Sequence, residues 1–221
     1  MRFDAVIFDL DGTLVDTLED IGDAMNRVLA AEAAPQHTYE DYRYLIGRGL
    51  WNLAAQALPA ERRDETTVTR CYERMIADYS LHSLVKTRAY DGVPELLRGL
   101  RAAGLPLAVF SNKSHDLTLR IVEALLCPAH FEEVRGARPG VPLKPDPSVA
   151  LELAASLGVE PGLVAYVGDS SVDMQTANAA GMPAVGVSWG FRTAEELHAH
   201  GAAVVIDRPG GLLELRARPG R

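Results

Sequence analysis

The stretch that most constrains this 221-residue chain is "AVIFDLDGTLVDT", residues 5–17. Ala5-Val6-Ile7-Phe8 is an unbroken run of apolar residues, the pattern of a strand buried on both faces. It stops at Asp9. A second acid, Asp11, follows two residues later, and then Gly12 and Thr13. Two carboxylates this close repel one another unless a cation or a proton intervenes. An EF-hand loop also spaces acids in this way, but its glycine belongs at position six, whereas Gly12 is fourth counting from Asp9. A core strand that ends in two acids reads as a rigid mount for chemistry.

The rest of the chain shows what surrounds that mount. After Asp16-Thr17 the period changes, and Leu18, Ile21, Met25, Val28 and Leu29 recur at three and four, which predicts a helix with one apolar face. "TYEDYRYLIG" predicts a short helix from Thr38 stopped by Gly47, "GLWNLAAQAL" another, and 61–84 a long one. No strand signal interrupts 16–85. Beyond it, strands and helices alternate: a helix over 93–103, a strand over 106–111 and a helix over 114–126. Then come "FEEVRG" as a short strand or loop and "DPSVALELAASLG" as a helix. "LVAYVGDS", "PAVGVS" and "AAVVI" read as strands, with helices between them. Strand–helix repetition implies a mostly parallel sheet with helices on both faces. The expected fold is α/β, a Rossmann-like parallel sheet core (residues 1–15 and 86–221) carrying an inserted all-helical cap (16–85).

Composition narrows the function. The net charge is −8 and the pI about 5.3, which argues against a general nucleic-acid binder. Cys71 and Cys127 are far apart and form no CxxC pair, so neither a disulfide framework nor a zinc site is expected. No signal-peptide pattern opens the chain, and no apolar run approaches a membrane span of about 20 residues. The expected setting is cytoplasmic, without nucleic-acid or membrane partners, as a monomer or homodimer.

In open α/β sheets, ligands bind at the carboxyl ends of the strands. Four such ends carry polar residues here: Asp9, Ser111, Asp169 and Ser188, with Lys144 in the loop "VPLKPDP". Three acids with only oxygen donors suit Mg²⁺. Adding Lys144, Ser111 and the amides of the Gly12 turn makes a place for a phosphate, so metal-assisted phosphoryl transfer is the reaction class to expect. Asp9 is placed to attack phosphorus as a carboxylate nucleophile, and Asp11 to give and take protons.

These residues, taken in order, resemble the haloacid dehalogenase-like hydrolases. "DLDGT" at 9–13, "FSN" at 110–112, "KPDP" at 144–147 and "GDSSVD" at 168–173 are similar to that family's four motifs, and the helical insert is similar to its cap. The resemblance implies that Asp9 is nucleophile and Mg²⁺ ligand. It implies that Asp11 is acid/base and ligates Mg²⁺ through its backbone carbonyl, and that Asp169 completes the protein ligands. Asp173 would orient that shell, and Ser111, the Asn112 amide and Lys144 would hold phosphoryl oxygens.

A narrower resemblance, carried by "LIGRGL", "FSNKSHDLT", "VGDSSVDMQTANAAGM" and "VGVSWGFR", is to the phosphoglycolate phosphatases. Ser114 departs from it, standing where that pattern has Pro. This implies a small phosphorylated metabolite as substrate, 2-phosphoglycolate giving glycolate and phosphate. Arg48 in "GRG" is then a candidate for gripping a second anion, since guanidinium pairs well with carboxylate. His115 reads as solvated at a helix start, and Trp51 and Trp189 as packing residues. The competing enzyme readings are a sugar-phosphate mutase and an inorganic pyrophosphatase. A phospho-acceptor signalling domain would need its Asp after a middle strand and no helical insert.

Overall fold

The computed structural model describes residues 1–217; residues 218–221, the end of the segment assigned to the core, lie outside the described residues. Among the described residues eight strands occur in chain order: β1 (Ala5–Phe8), β2 (Val15–Asp16), β3 (Arg88–Ala89), β4 (Leu107–Ser114), β5 (Glu133–Ala137), β6 (Val164–Gly168), β7 (Ala184–Val187) and β8 (Val204–Ile206). Six of them form one sheet in the order β5-β4-β1-β6-β7-β8, and every neighbouring pair is parallel. The chain builds outward from β1 to β4 and β5, then returns to the other side of β1 for β6, β7 and β8. That reversal leaves a crevice at the carboxyl end of β1, where ligands collect in such sheets.

The apolar run of β1 is explained by burial on both faces. Val6 and Phe8 join a cluster with Val93, Leu96, Leu97 and Leu100 of helix α5 (Val93–Ala102). Ala5 and Ile7 join a separate cluster with Val149 and Leu153 of one helix and Met174 and Ala177 of another. Val6, Ile7 and Phe8 are almost wholly withdrawn from water, which stabilises the fold by about 1.5–3 kcal/mol apiece. A strand anchored this firmly can carry a strained charge cluster at its end.

Four helices fill the insert: α1 (Leu18–Ala31), α2 (Tyr39–Leu45), α3 (Leu50–Ala57) and α4 (Glu65–His82). They share an apolar cluster that includes Ile21, Met25, Tyr42, Leu53, Met75 and Tyr79. Leu117 and Phe191, from outside the insert, complete it. Thr38 and Asp41 form a reciprocal capping box at the start of α2. The single helix expected over 61–84 is divided: a short turn at Ala60–Arg62 precedes Asp64, whose side chain accepts from the Thr67 N–H and starts α4. An acid at an N-cap satisfies an orphan amide, which is why the helix begins there.

The insert is joined to the sheet through the antiparallel pair β2–β3, with Val15 opposite Ala89 and Asp16 opposite Arg88. Buried Asp20, in the first turn of α1, accepts from the Lys86 and Thr87 N–H groups and from the Thr87 hydroxyl. In the remainder, helices α6 (His115–Leu125), α7 (Ser148–Ser156), α8 (Ser171–Ala179) and α9 (Ala194–Ala199) follow the expected alternation. A last helix, α10 (Gly211–Ala217), was not expected from the sequence. No helix among the described residues is long and apolar enough to cross a membrane.

Candidate active site

The carboxyl ends of β1, β4 and β6 meet beneath the insert in a cavity lined by Asp9, Asp11, Ser111, Asn112, Lys113, Lys144 and Asp169 on the sheet side. Ile21, Ile46, Leu50, Leu53 and Phe191 form its apolar roof. The room left inside it is ≈ 20 Å³, space for about one water.

Lys144 organises the floor. Its ammonium lies 2.8 Å from Asp9 Oδ1 and 2.7 Å from Asp173 Oδ1, and all three side chains are buried. The other Asp173 oxygen accepts from the Ser170 amide (3.1 Å) and the Ser170 hydroxyl (2.5 Å), a capping box that starts α8. Both oxygens of Asp173 are therefore engaged. Asp169 Oδ2 accepts from the Phe191 N–H at 2.7 Å. Asp11 Oδ1 accepts from the Thr17 hydroxyl at 2.8 Å and pairs with the Lys113 ammonium at 3.1 Å. The Asn112 side chain spans two elements: its oxygen accepts from the Lys144 N–H, and its NH₂ donates to the Gly47 and Lys144 carbonyls.

Close approach explains two glycines. Gly12 turns with φ +82, and a Cβ there would run into the Asp169 carboxylate. A Cβ on Gly190 would strike both Asp169 and the Gly12 carbonyl. Only glycine takes that φ at no steric penalty and lets the backbone pass so close.

The electrostatics are those of buried acids that outnumber the cations beside them. Burial, followed by Asp173, pushes the Asp9 carboxyl well above the usual carboxylate range; Lys144 opposes this, while Asp169 and Asp11 add to it. Burial and Asp173 push Asp169 up to about 7, against the Phe191 N–H, Arg192 and Lys144. Burial disfavours the Lys144 charge, but Asp173 and Asp9 outweigh it and hold the ammonium well above its ordinary pKa. Acids raised in this way are acids short of positive charge.

Oxygen atoms of Asp9, Asp169 and Asp173 all lie within 4.8 Å of one another. Among the described residues one ammonium serves this cluster, and no His or Cys lines the cavity. A donor set of carboxylates alone fits a hard divalent cation such as Mg²⁺.

The structure thus brings Asp9, Asp11, Ser111, Asn112, Lys144 and Asp169 to one cavity, with Asp173 in contact from behind. Three expectations come out differently. Ser188 is exposed and faces another surface depression, because β7 lies one strand farther from β1. Arg48 is also exposed. It does not line the cavity but an adjoining groove of ≈ 490 Å³ with Tyr72 and Arg138. Trp51, expected to pack, is 47% exposed in that same groove.

Several residues outside the four motifs join the insert to the sheet. Lys113 is buried beside Ser111 and Asn112. Arg192 donates to the carbonyls of Arg43 and Ile46, while Arg43 donates to the Gly190 carbonyl. The sequence carried no signal for Lys113: it lies two residues past the strand end expected at 111, whereas β4 runs on to Ser114 and buries it. Trp189 does pack, and its indole N–H also donates to the Thr13 carbonyl at 3.0 Å.

Comparison with known proteins places the chain in a family. The family model of the haloacid dehalogenase-like hydrolases matches residues 6–187. The chain belongs to that family. It is 35% identical to a phosphoglycolate phosphatase of Rhodospirillum rubrum, over 92% of this chain and 86% of the relative. It is 31% identical to an N-acetylmuramic acid 6-phosphate phosphatase of Pseudomonas aeruginosa, over 99% and 96%. A crystal structure from Lactobacillus delbrueckii subsp. bulgaricus, of a protein assigned as a phosphoglycolate phosphatase, superposes with a TM-score of 0.92 at 32% identity, covering 98% and 99%. The enzyme class is therefore phosphoric monoester hydrolase, and the fold is the family's α/β sheet.

Proposed function

We propose that the protein is a Mg²⁺-dependent phosphatase of a small phosphorylated metabolite, with 2-phosphoglycolate as the first candidate. The observation that carries this reading is the buried Asp9 carboxylate at the end of β1, 2.8 Å from Lys144 and beside Asp169 and Asp11. A carboxylate oxygen of Asp9 attacks phosphorus, and the bond to the ester oxygen breaks. Asp11, whose Oδ2 has no hydrogen-bond partner among the described residues, protonates the departing oxygen. Water then attacks the aspartyl-phosphate and gives its proton to Asp11, which releases phosphate and restores Asp9. Ser111, the Asn112 amide and Lys144 hold the phosphoryl oxygens.

Asp9 and Asp169, with the Asp11 carbonyl, would hold Mg²⁺, and Asp173 would position Lys144. When bound, the ion supplies positive charge to offset the clustered acids and the phosphoryl oxygens.

In this reading residues 16–85 are a cap over a core of 1–15 and 86–221. A cavity of ≈ 20 Å³ is too small for any phosphate ester, so the cap must open to admit substrate and close to exclude water. 2-Phosphoglycolate is preferred because relatives carrying the phosphoglycolate phosphatase name match most of the chain. The adjoining groove of Arg48, Trp51 and Arg138 favours including N-acetylmuramic acid 6-phosphate as a second candidate.

The test is phosphate release over a panel of metabolites. The set should contain both candidates, hexose phosphates and inorganic diphosphate, assayed with Mg²⁺ and with EDTA. Activity should require Mg²⁺, and Asp9→Asn should lower it by at least about a thousandfold, as removal of a nucleophile does. Full activity in Asp9→Asn would falsify the mechanism.

A further inference from the structure

Lys113 is a second buried lysine in the cavity, and the mechanism above does not use it. It sits near the end of β4, 3% exposed, with its ammonium 3.1 Å from Asp11 Oδ1 and 2.7 Å from the hydroxyl of Tyr79. Tyr79 belongs to α4 of the insert and is fully buried there. Its ring also lies under the ammonium, 4.5 Å from nitrogen to centroid. A lysine stem has four rotatable bonds, so an ammonium held by one carboxylate alone would have a choice of positions. A second partner on another element removes that choice. Among the described residues both partners of the Asp11 side chain lie at Oδ1: Thr17, the residue before α1, and Lys113 from β4. Fixing one oxygen of a carboxylate fixes the direction of the other.

We propose that Lys113 and Tyr79 are positioning residues that aim the free Asp11 oxygen at the leaving group, so that the acid is correctly placed only when α4 is seated on the sheet. The inference rests on Asp11 acting as the general acid. Tyr79 contributes as a hydrogen-bond acceptor and as a wall that confines the ammonium. The insert thereby does more than exclude water: one of its helices completes the alignment of the proton donor. An open insert would leave Lys113 without its second partner and Asp11 less well directed.

Leaving-group dependence separates this role from a merely structural one. A nitrophenolate departs readily without a proton, whereas an alkoxide needs one, so a misaligned acid harms alkyl phosphates more than aryl phosphates. The experiment measures kcat/KM, which reports the first chemical step, for p-nitrophenyl phosphate and for the best alkyl phosphate of the panel. The proteins are wild type, Asp11→Asn, Lys113→Met, Lys113→Arg and Tyr79→Phe.

Asp11→Asn should show the bias strongly, and if it does not, the assignment of Asp11 as acid fails. Given that bias, Lys113→Met should lose about 10- to 100-fold more on the alkyl than on the aryl substrate, a share of the usual 10²–10⁴-fold contribution of acid catalysis. Tyr79→Phe, which keeps the ring and the packing, should lose about 3- to 10-fold in the same direction. Lys113→Arg should recover part of the loss. Equal losses on both substrates in Lys113→Met and Tyr79→Phe would overturn the proposal, as would a rise in KM alone, which would mark Lys113 as a substrate contact. Should Lys113→Met not fold by circular dichroism, Tyr79→Phe decides by the same criterion.

Discussion

Lys144 shows how one side chain can hold a site together at a net loss of solvation. Its ammonium is buried between two buried carboxylates, at 2.8 and 2.7 Å. Such a pair gains little over an apolar substitute, but removing one partner strands the others. Lys144→Met should therefore abolish activity and also destabilise the protein by about 3–5 kcal/mol at pH 8. The pH dependence follows from Asp9, whose folded pKa already lies well above its ordinary value because of burial and Asp173. An acid with a raised folded pKa binds its proton more tightly when folded, so stability falls as pH rises from the unfolded pKa through the folded one. Loss of Lys144 raises that folded pKa further. The deficit should thus shrink towards pH 5, where protons neutralise the stranded acids. Urea unfolding of both proteins at the two pH values checks this, and an equal deficit at each would contradict it.

At the scale of elements, the paired connectors β2 and β3 decide how the insert is held. Buried Asp20 fastens the first turn of α1 to the segment entering β3 through the Lys86 and Thr87 amides and the Thr87 hydroxyl. Asp20→Ala would leave buried donors unpaired at about 1–3 kcal/mol each. A total loss of about 2–4 kcal/mol is expected in urea unfolding, with partial recovery in Asp20→Asn. A loss under about 0.5 kcal/mol, the range of ordinary surface substitutions, would show that the connection is held elsewhere.

Asp20 also marks where sequence reading stopped. Asp9, Ser111 and Asp169 were legible because an apolar run that ends in a polar residue declares both the strand and its end. The parallel sheet was legible from the alternation of strand and helix. The links between insert and sheet were not. Lys113 meets Tyr79 across 34 positions of sequence, and Arg192 meets Ile46 across 146. Neither spacing carries a period, and each pairing exists only because four helices dock at one particular angle. Arg48 and Trp51 were misplaced for the same reason: Gly47, Gly49 and Leu50 line the cavity, while Arg48, in the turn before α3, and Trp51, in the first turn of α3, line the outer groove.

The whole molecule carries a net charge of −8 and places several of its acids in one buried crevice. Folding therefore works against charge repulsion unless a proton or a cation intervenes. Burial and Asp173 push Asp169 up to about 7, and Asp9 is raised in the same direction. For the metal-free protein this sets the sign of the pH effect. Both acids favour the folded state most when protonated, so their contribution declines from about pH 4, the ordinary carboxylate range, and is lost by the time pH passes the raised values. A divalent cation that binds only the folded state adds stability according to its concentration over its Kd. It must also displace whatever protons the acids hold. At pH 8 Asp169 is mostly ionised and no longer holds a proton that the ion must displace; at pH 5.5 it is mostly protonated. Millimolar Mg²⁺ should accordingly raise Tm distinctly more at pH 8 than at pH 5.5, and Asp169→Asn should remove most of that difference while leaving the fold intact. Thermal unfolding with and without Mg²⁺ at the two pH values measures it directly. A shift of the same size at both, or one that Asp169→Asn leaves untouched, would mean that the ion is held away from this cluster.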